Sequence, residues 1–372
     1  MVRLGIDSRD AFAERPRGVG KALSELIHHL IPLITDWQVC LYTNTNRSEN
    51  TDFAAPAQIQ RIDIRGDRFN AWEQVRLPVA ALTSRLDLLH CPSQTAPYLA
   101  PCPIVLTVHD LIPLRMDDGW SPGEVNRFRK ALARSVANAR RIIAVSEFTR
   151  HDLLCEFRMS EKEIDVIPWG VHSKAHEDIP EEKWRALCQT YGVRSPFFVA
   201  FGGDAPRKNV PRILEAMSIF TRTVSRDVQL ALIGVTPYME KKIEAMTNQL
   251  GISNNVVSLG YLADETVSFL LMKSEALVYA SLNEGFGLPI LEAMALGAPV
   301  ITSNVTSMPE IAGDAAILID PQNAAAVAEA MRECYLNDRL KGDLRARGSR
   351  RCEHFTWDRT ARETVAVYRQ AL

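Results

Sequence analysis

Glu284-Gly285-Phe286-Gly287-Leu288-Pro289-Ile290-Leu291-Glu292-Ala293 follows the apolar run Ala276-Leu277-Val278-Tyr279-Ala280. Such a run predicts a short buried strand. Pro289 suits a first helical position, and Gly297 suits the residue just past the helix end. The segment is therefore a strand, a glycine-rich turn and a helix. Amides in the opening turn of that helix lack partners inside it and face whatever lies over the loop. Gly285 and Gly287 let a ligand come close to the backbone. Glu284 at the loop mouth and Glu292 in the opening turns bring carboxylates, which accept hydrogen bonds from hydroxyls. Phosphate for the amides and hydroxyls for the acids together describe a nucleotide sugar. A plain strand-to-helix turn needs the glycines but neither acid nor Pro289.

Outward from this segment, short apolar runs alternate with amphipathic stretches. Strands are expected at Val2–Ile6, Val39–Tyr42, Ile104–Val108, Ile142–Val145, Phe197–Phe201, Gln229–Ile233, Val256–Leu259 and Ala276–Ala280. Leu23, Leu26, Ile27, Leu30 and Ile31 between two of them are spaced for one buried helix face. Continuous apolar strands alternating with helices predict parallel sheets covered on both sides, an α/β architecture. The alternation restarts. Val166 to Val171 closes a first series, a polar stretch with His172, Lys174, Glu177 and Asp178 follows, and Phe197 opens a second. Two domains are expected, 1–172 and 190–354, with the boundary near 172 to 194, and a final helix within 355–372 carrying Trp357, Val365, Val367 and Tyr368. Ligands of open parallel sheets sit beyond the C-terminal strand ends, so two such domains facing each other would form a cleft.

The 372 residues allow two domains of ordinary size. A hydrophobic content of 47% with 24% charged residues is that of a globular chain. A net charge of -2 excludes general attraction to nucleic acid. The seven cysteines are odd in number and form no Cys-x-x-Cys pair, which argues against a disulfide framework or zinc site and for a reduced, cytoplasmic setting. No apolar run reaches the roughly 18 residues that span a bilayer. The N-terminus reads as a first strand with no secretory signal.

Several further positions carry chemistry. Arg207-Lys208-Asn209 follows the strand Phe197–Phe201 and a Gly202-Gly203 turn, with Asn209 placed to cap the next helix. Lys208 then stands at a helix N-terminus, where a bound anion such as a diphosphate gives a cation a reason to be; a solvated basic turn is the alternative. Gly18-Val19-Gly20-Lys21 precedes the first amphipathic helix but fits neither a dinucleotide fingerprint nor a P-loop, since Arg15 and Ala22 occupy the P-loop's glycine and Ser/Thr places. His109-Asp110 follows a strand at the ligand edge. Ser146 is a good helix cap with Thr149 in reach, and Asp264 can cap the segment Glu265–Leu271. Residues 126–141 hold six Lys/Arg and no acid, with Phe128, Leu132 and Val136 every four residues. This basic amphipathic helix is either a solvated helix packed on its domain or a contact with anionic membrane or a lipid-diphosphate acceptor.

Two glutamates eight apart around Gly-Phe-Gly resemble the signature of the large retaining glycosyltransferase family with the B-type (GT-B) fold of two Rossmann-like domains. The segments Ser307-Met308-Pro309-Glu310 and Gly313-Asp314-Ala315-Ala316 are similar to those of its bacterial mannosyltransferases. The resemblance implies a nucleotide-sugar-binding second domain, an acceptor-side first domain and a final helix crossing back onto the first. It implies a phosphate-binding role for Lys208, ribose hydroxyls held by Glu292, and sugar hydroxyls held by Glu284. Backbone N–H groups from Phe286 to Leu288 would line sugar and phosphate, and the Gly18/Gly20 loop would touch the pyrophosphate. His109 would orient the donor sugar or its leaving phosphate, with Asp110 fixing the imidazole or the local turn. Asp264 would lie near the nucleobase, where its carboxylate suits guanine. Members often place an Arg after the glycine of the strand Phe197–Phe201. Here Gly202 or Gly203 stands there, leaving Arg207 or backbone amides to fill the role.

No Asp-x-Asp motif occurs, so Lys208 and helix amides are expected to neutralise the diphosphate with no metal and no cofactor. The expected activity is transfer of a hexose, mannose from GDP-mannose first and a UDP-sugar second, to a saccharide or lipid-linked saccharide. The expected location is cytoplasmic, with peripheral contact at the inner face of the membrane left open. A sugar-nucleotide epimerase or phosphorylase of the same architecture, or a non-catalytic binding module, are the rival readings.

Overall fold

The computed structural model describes residues 1–13, 18–44, 58–66, 71–157, 159–160, 163–172 and 179–372. Arg15, Lys174, Glu177 and Asp178 lie outside them. The chain divides into two compact units. One comprises Met1–Met116, Trp120–Gly170 and Phe355–Leu372, the other Asp117–Gly119 and Val171–His354.

In the first unit β1 (Arg3–Asp7), β2 (Gln38–Thr43), β3 (Ile59–Asp63), β4 (Leu88–Cys91), β5 (Ile104–Val108), β6 (Arg141–Ala144) and β7 (Ile164–Val166) form one sheet, ordered β3-β2-β1-β4-β5-β6-β7. In the second, β8 (Phe197–Phe201), β9 (Gln229–Ile233), β10 (Val256–Leu259), β11 (Leu277–Tyr279), β12 (Val300–Ser303) and β13 (Ile317–Ile319) run in the order β10-β9-β8-β11-β12-β13. Every strand pair is parallel. These are the doubly wound α/β sheets that the alternation predicts. Each reverses its winding once, between β1 and β4 and between β8 and β11. That reversal opens a crevice beyond the strand ends, where ligands of such sheets bind.

Burial explains which strands form. Phe197 to Ala200 and all of Gln229–Ile233 are buried, as central strands covered on both faces must be. In the first unit the helix Trp357–Ala371 lies beside the helix Gly18–Leu30. Ala361, Val365 and Tyr368 share one core with Leu4, Ile6, Leu23 and Ile27. The chain passes so close to this helix that a Cβ on Gly170 would collide with the backbone of Thr356 and Trp357. The Tyr368 hydroxyl shares a 2.6 Å hydrogen bond with His90 Nδ1, and His90 Nε2 sits 2.8 Å from Thr107 Oγ1. One buried imidazole thus ties β4, β5 and the last helix together.

Several local expectations change. The helix at Gly18 begins on that glycine, so Gly18 and Gly20 form its first turn instead of a loop before it. Asn209 does not cap the helix Val210–Thr223. It adopts the left-handed conformation (φ 58°), and its amide donates to the carbonyls of Ala280 (2.9 Å) and Pro321 (2.7 Å). Asp264 is the first helical residue of Asp264–Lys273, and Ala263 holds the cap position without a side-chain bond. The basic helix spans Pro122–Asn138, opened by a Ser121–Glu124 capping box, so Arg140 lies past its end. Arg141 is in β6 and pairs with Asp165 at 2.6 Å. Ser146 does cap as read, accepting from Thr149 N at 3.0 Å. All seven cysteines are free thiols. Among the described residues, no helix is long and apolar enough to cross a membrane.

Candidate active site

The second unit's winding reversal collects the charged residues. Beyond β8 the chain turns through Gly203 (φ 139°), and the single 3₁₀ turn Pro206–Lys208 leads into the helix Val210–Thr223. Beyond β11 it runs through Glu284 to Gly287, whose left-handed conformation (φ 103°) turns the backbone into the helix Leu288–Ala295. Pro289 is the second helical residue, and Gly297 past the end has φ 69°. The two loops are stitched together, since Leu282 N donates to Arg207 O at 2.8 Å.

Across this stitch Lys208 Nζ donates to Glu284 Oε1 at 2.8 Å and to the Tyr279 hydroxyl at 3.0 Å. Only 18% of the Lys208 side chain and 12% of the Glu284 side chain are exposed. Burial pulls the Lys208 pKa down, but Tyr279 and Glu284 outweigh it and hold it above the usual lysine value. Burial pushes Glu284 up, and Lys208 with Arg207 more than reverses this, leaving it below the usual carboxylate value. Both stay charged at neutral pH. Arg207 lies against Asp118 of the same unit, its N–H donating to Oδ1 at 3.1 Å.

A second loop clamps the first. Thr306 Oγ1 accepts from Glu284 N at 3.3 Å, and Ser307 Oγ lies 2.7 Å from Glu284 O and 2.8 Å from Phe286 O. Thr306 does this at φ 57°. A β-branched residue in that region costs about 1–3 kcal/mol, which the surrounding packing must offset. Gly285, Phe286 and Gly287 are buried, while Leu288 and Glu292 are partly exposed on the helix that follows. Leu288 N–H, in the first turn, has no partner within the helix. Asp264 is exposed and opens the helix that follows the outer strand β10.

The first unit places His109 just past β5. Its Nε2 donates to Pro92 O at 2.5 Å, fixing the tautomer, and its ring packs 5.2 Å from that of Trp169. Burial pushes its pKa down to about 4, against the opposing pull of Pro92 O and Asp10. The imidazole is neutral, and its buried Nδ1 lone pair meets no donor among the described residues. Asp110 fixes the local turn, accepting from Ile112 N at 3.1 Å.

Sequence reasoning missed Tyr279, Thr306 and Ser307 as parts of the site. Tyr279 was legible in principle. A phenol in a buried aliphatic strand must find a polar partner. Thr306 gave no signal, because nothing in its side chain announces a left-handed backbone.

Two doubly wound parallel sheets, one with an ion pair and a helix N-terminus at its winding reversal, make up a two-domain α/β protein. Residues 192–351 match the family model for glycosyl transferases group 1, and residues 16–174 match that for glycosyltransferase family 4. The chain is 28% identical over 265 residues to the O-antigen chain mannosyltransferase B of Escherichia coli, covering 71% of this chain and 70% of that one. It is 31% identical over 286 residues to the MMP alpha-(1->4)-mannosyltransferase of Mycolicibacterium hassiacum, covering 73% of this chain and 66% of that one. The Anabaena protein HepE, solved in complex with UDP and glucose, superposes with a TM-score of 0.76 at 18% identity, covering 100% of both chains. The chain belongs to the group 1 glycosyltransferases and is similar to bacterial mannosyltransferases.

Proposed function

We propose that the protein moves a hexose, mannose first, from a nucleoside diphosphate sugar to a hydroxyl of a saccharide or lipid-linked saccharide, in surface polysaccharide synthesis on the cytoplasmic side of a membrane. GDP-mannose is the first donor to test and a UDP-sugar the second. The observation that carries this reading is the Lys208–Glu284 pair beside the N-terminus of Leu288–Ala295. The sugar C1–oxygen bond to the diphosphate breaks, and a bond from the acceptor oxygen to C1 forms on the same face, retaining configuration. The acceptor proton leaves with the diphosphate. Lys208, with Arg207 once it exchanges Asp118 for phosphate, and the amides of Phe286 to Leu288 stabilise the charge growing on the leaving group without a metal. Glu284 takes sugar hydroxyls, Glu292 the ribose and Asp264 the base edge. His109 presents a neutral lone pair, which suits a sugar hydroxyl and not a phosphate.

Purified protein is expected to release GDP from GDP-mannose in the presence of acceptor, forming an α-linked product, with full turnover in excess chelator. Turnover without a new glycosidic bond would favour the epimerase, absence of nucleotide affinity the binding module, and an absolute divalent-cation requirement would overturn the metal-free step.

The acceptor reading extends to a surface of the first unit. Val75, Val79 and Leu82 project to solvent from one face of the helical segment 72–83, and Leu99 is 83% exposed beside them. Tyr98 joins these to the basic helix. Its N–H donates to Gln74 Oε1 (2.9 Å), its carbonyl accepts from Asn138 (2.7 Å), and Arg134 lies 4.8 Å over its ring. Arg127, Lys130 and Arg134 are exposed at helical spacing. Aliphatic side chains beside a cationic stripe suit an anionic bilayer surface. The protein is expected to co-sediment with anionic vesicles in a salt-sensitive way, and Val79→Asp with Leu82→Asp to abolish this. Wild-type protein that stays in the supernatant at low salt would reject membrane contact.

A further inference from the structure

We infer that Tyr279 is a positioning residue for the diphosphate-binding ammonium, holding Lys208 in place when Glu284 turns from it to a sugar hydroxyl. The inference rests on the donor reading of this site. Leu277 and Val278 precede Tyr279 in a strand otherwise wholly aliphatic, and its ring is buried to 3% exposure. Its hydroxyl accepts from Lys208 Nζ at 3.0 Å, while the ring centroid lies 4.9 Å from the same nitrogen. Tyr279 also helps hold the Glu284 carboxyl below its usual value. Its position is fixed from behind, because its carbonyl accepts from Thr302 Oγ1 at 3.1 Å and Asn209 holds the next carbonyl, Ala280 O.

The hydrogen-bond inventory gives the logic. An ammonium has three N–H groups, and here one goes to Glu284 and one to Tyr279, leaving the third for phosphate. Lysine has a long flexible stem that must be anchored to act from one point. Glu284 anchors it only while the site holds no sugar. Once sugar hydroxyls claim that carboxylate, the phenol is the contact that does not change. Burial first, then Glu284, holds the Tyr279 hydroxyl well above its usual titration range, so it stays neutral and lends position but no charge.

Tyr279→Phe removes one oxygen and leaves the ring in the core. Its affinity for GDP-mannose or a UDP-sugar, whichever the wild type binds, should fall about tenfold by calorimetry without acceptor, the loss of one hydrogen bond to a charged group. Affinity for the matching sugar-free GDP or UDP should change by less than about twofold, because Glu284 still anchors Lys208 there. In a Lys208→Met background the same substitution should have no further effect on nucleotide-sugar affinity, since Tyr279 acts only through Lys208. Unchanged nucleotide-sugar affinity, equal losses for both ligands, or a full effect persisting without Lys208 would each overturn the inference. A wild type that binds no nucleoside diphosphate at all takes down the donor reading and this inference together.

Discussion

Lys208→Met should lower donor turnover by about 10²–10³-fold, the usual consequence of removing one preorganised charge from a developing anion. The methionine fills similar volume, so the second unit's fold should survive. The larger change falls on Glu284, which loses the ammonium that Lys208 Nζ now supplies at 2.8 Å. Burial then acts on the carboxyl with only Arg207 and Tyr279 to oppose it, so its pKa should climb. Part of the activity loss is therefore indirect, through a protonated Glu284 that accepts sugar hydroxyls poorly. Lys208→Arg separates the parts. It keeps the charge on Glu284 but cannot reproduce a point ammonium between Tyr279 and the diphosphate. Single-turnover rates with saturating donor measure both variants. A kcat for Lys208→Met within about threefold of wild type would refute the electrostatic role.

The first unit should lose roughly 4 kcal/mol of stability between about pH 7.5 and about pH 5, owing to two buried imidazoles. Burial, with some repulsion from His109, pushes the His90 pKa down to about 3, and burial brings His109 to about 4. An unfolded imidazole titrates near 6.5. Below that value the unfolded chain takes up protons that the folded chain refuses. The stabilisation is thus complete above about pH 6.5 and drains away toward the folded values, at about 2 kcal/mol per imidazole by pH 5. Against a typical domain stability of about 5–15 kcal/mol this is a large share. Urea unfolding at the two pH values measures it. His90→Gln can keep bonds to Thr107 and Tyr368 while removing one titration, so it should halve the pH dependence whatever it does to absolute stability. Equal midpoints at the two pH values would contradict the argument.

Legibility followed burial and sequence distance. The strands Ile104–Val108, Phe197–Phe201, Gln229–Ile233 and Val256–Leu259 were readable to the residue, since three of them are central strands with continuous apolar runs. Ile59–Asp63 and Ile317–Ile319 escaped notice because they are sheet edges. The first alternates with Gln60, Arg61 and Asp63, and the second is only three residues long. Leu88–Cys91 was hidden by its brevity and by His90, a polar residue that is nonetheless fully buried. At the site, the glycine turn and both glutamates could be read locally. The Lys208–Glu284 bond could not, because 76 residues separate its partners and only the winding order brings β8 and β11 side by side. Asn209 shows the converse. Its residue type announced a cap, but two carbonyls from distant loops offered the amide better partners.

The first unit is not contiguous in the chain. Its core needs Ala361, Val365 and Tyr368, which leave the ribosome only after all of 171–354. Domains generally fold as they are made, from the N-terminal end. Here that order should invert: the half translated first is expected to wait, with the Leu4 and Ile27 face uncovered, until the half translated second is already complete.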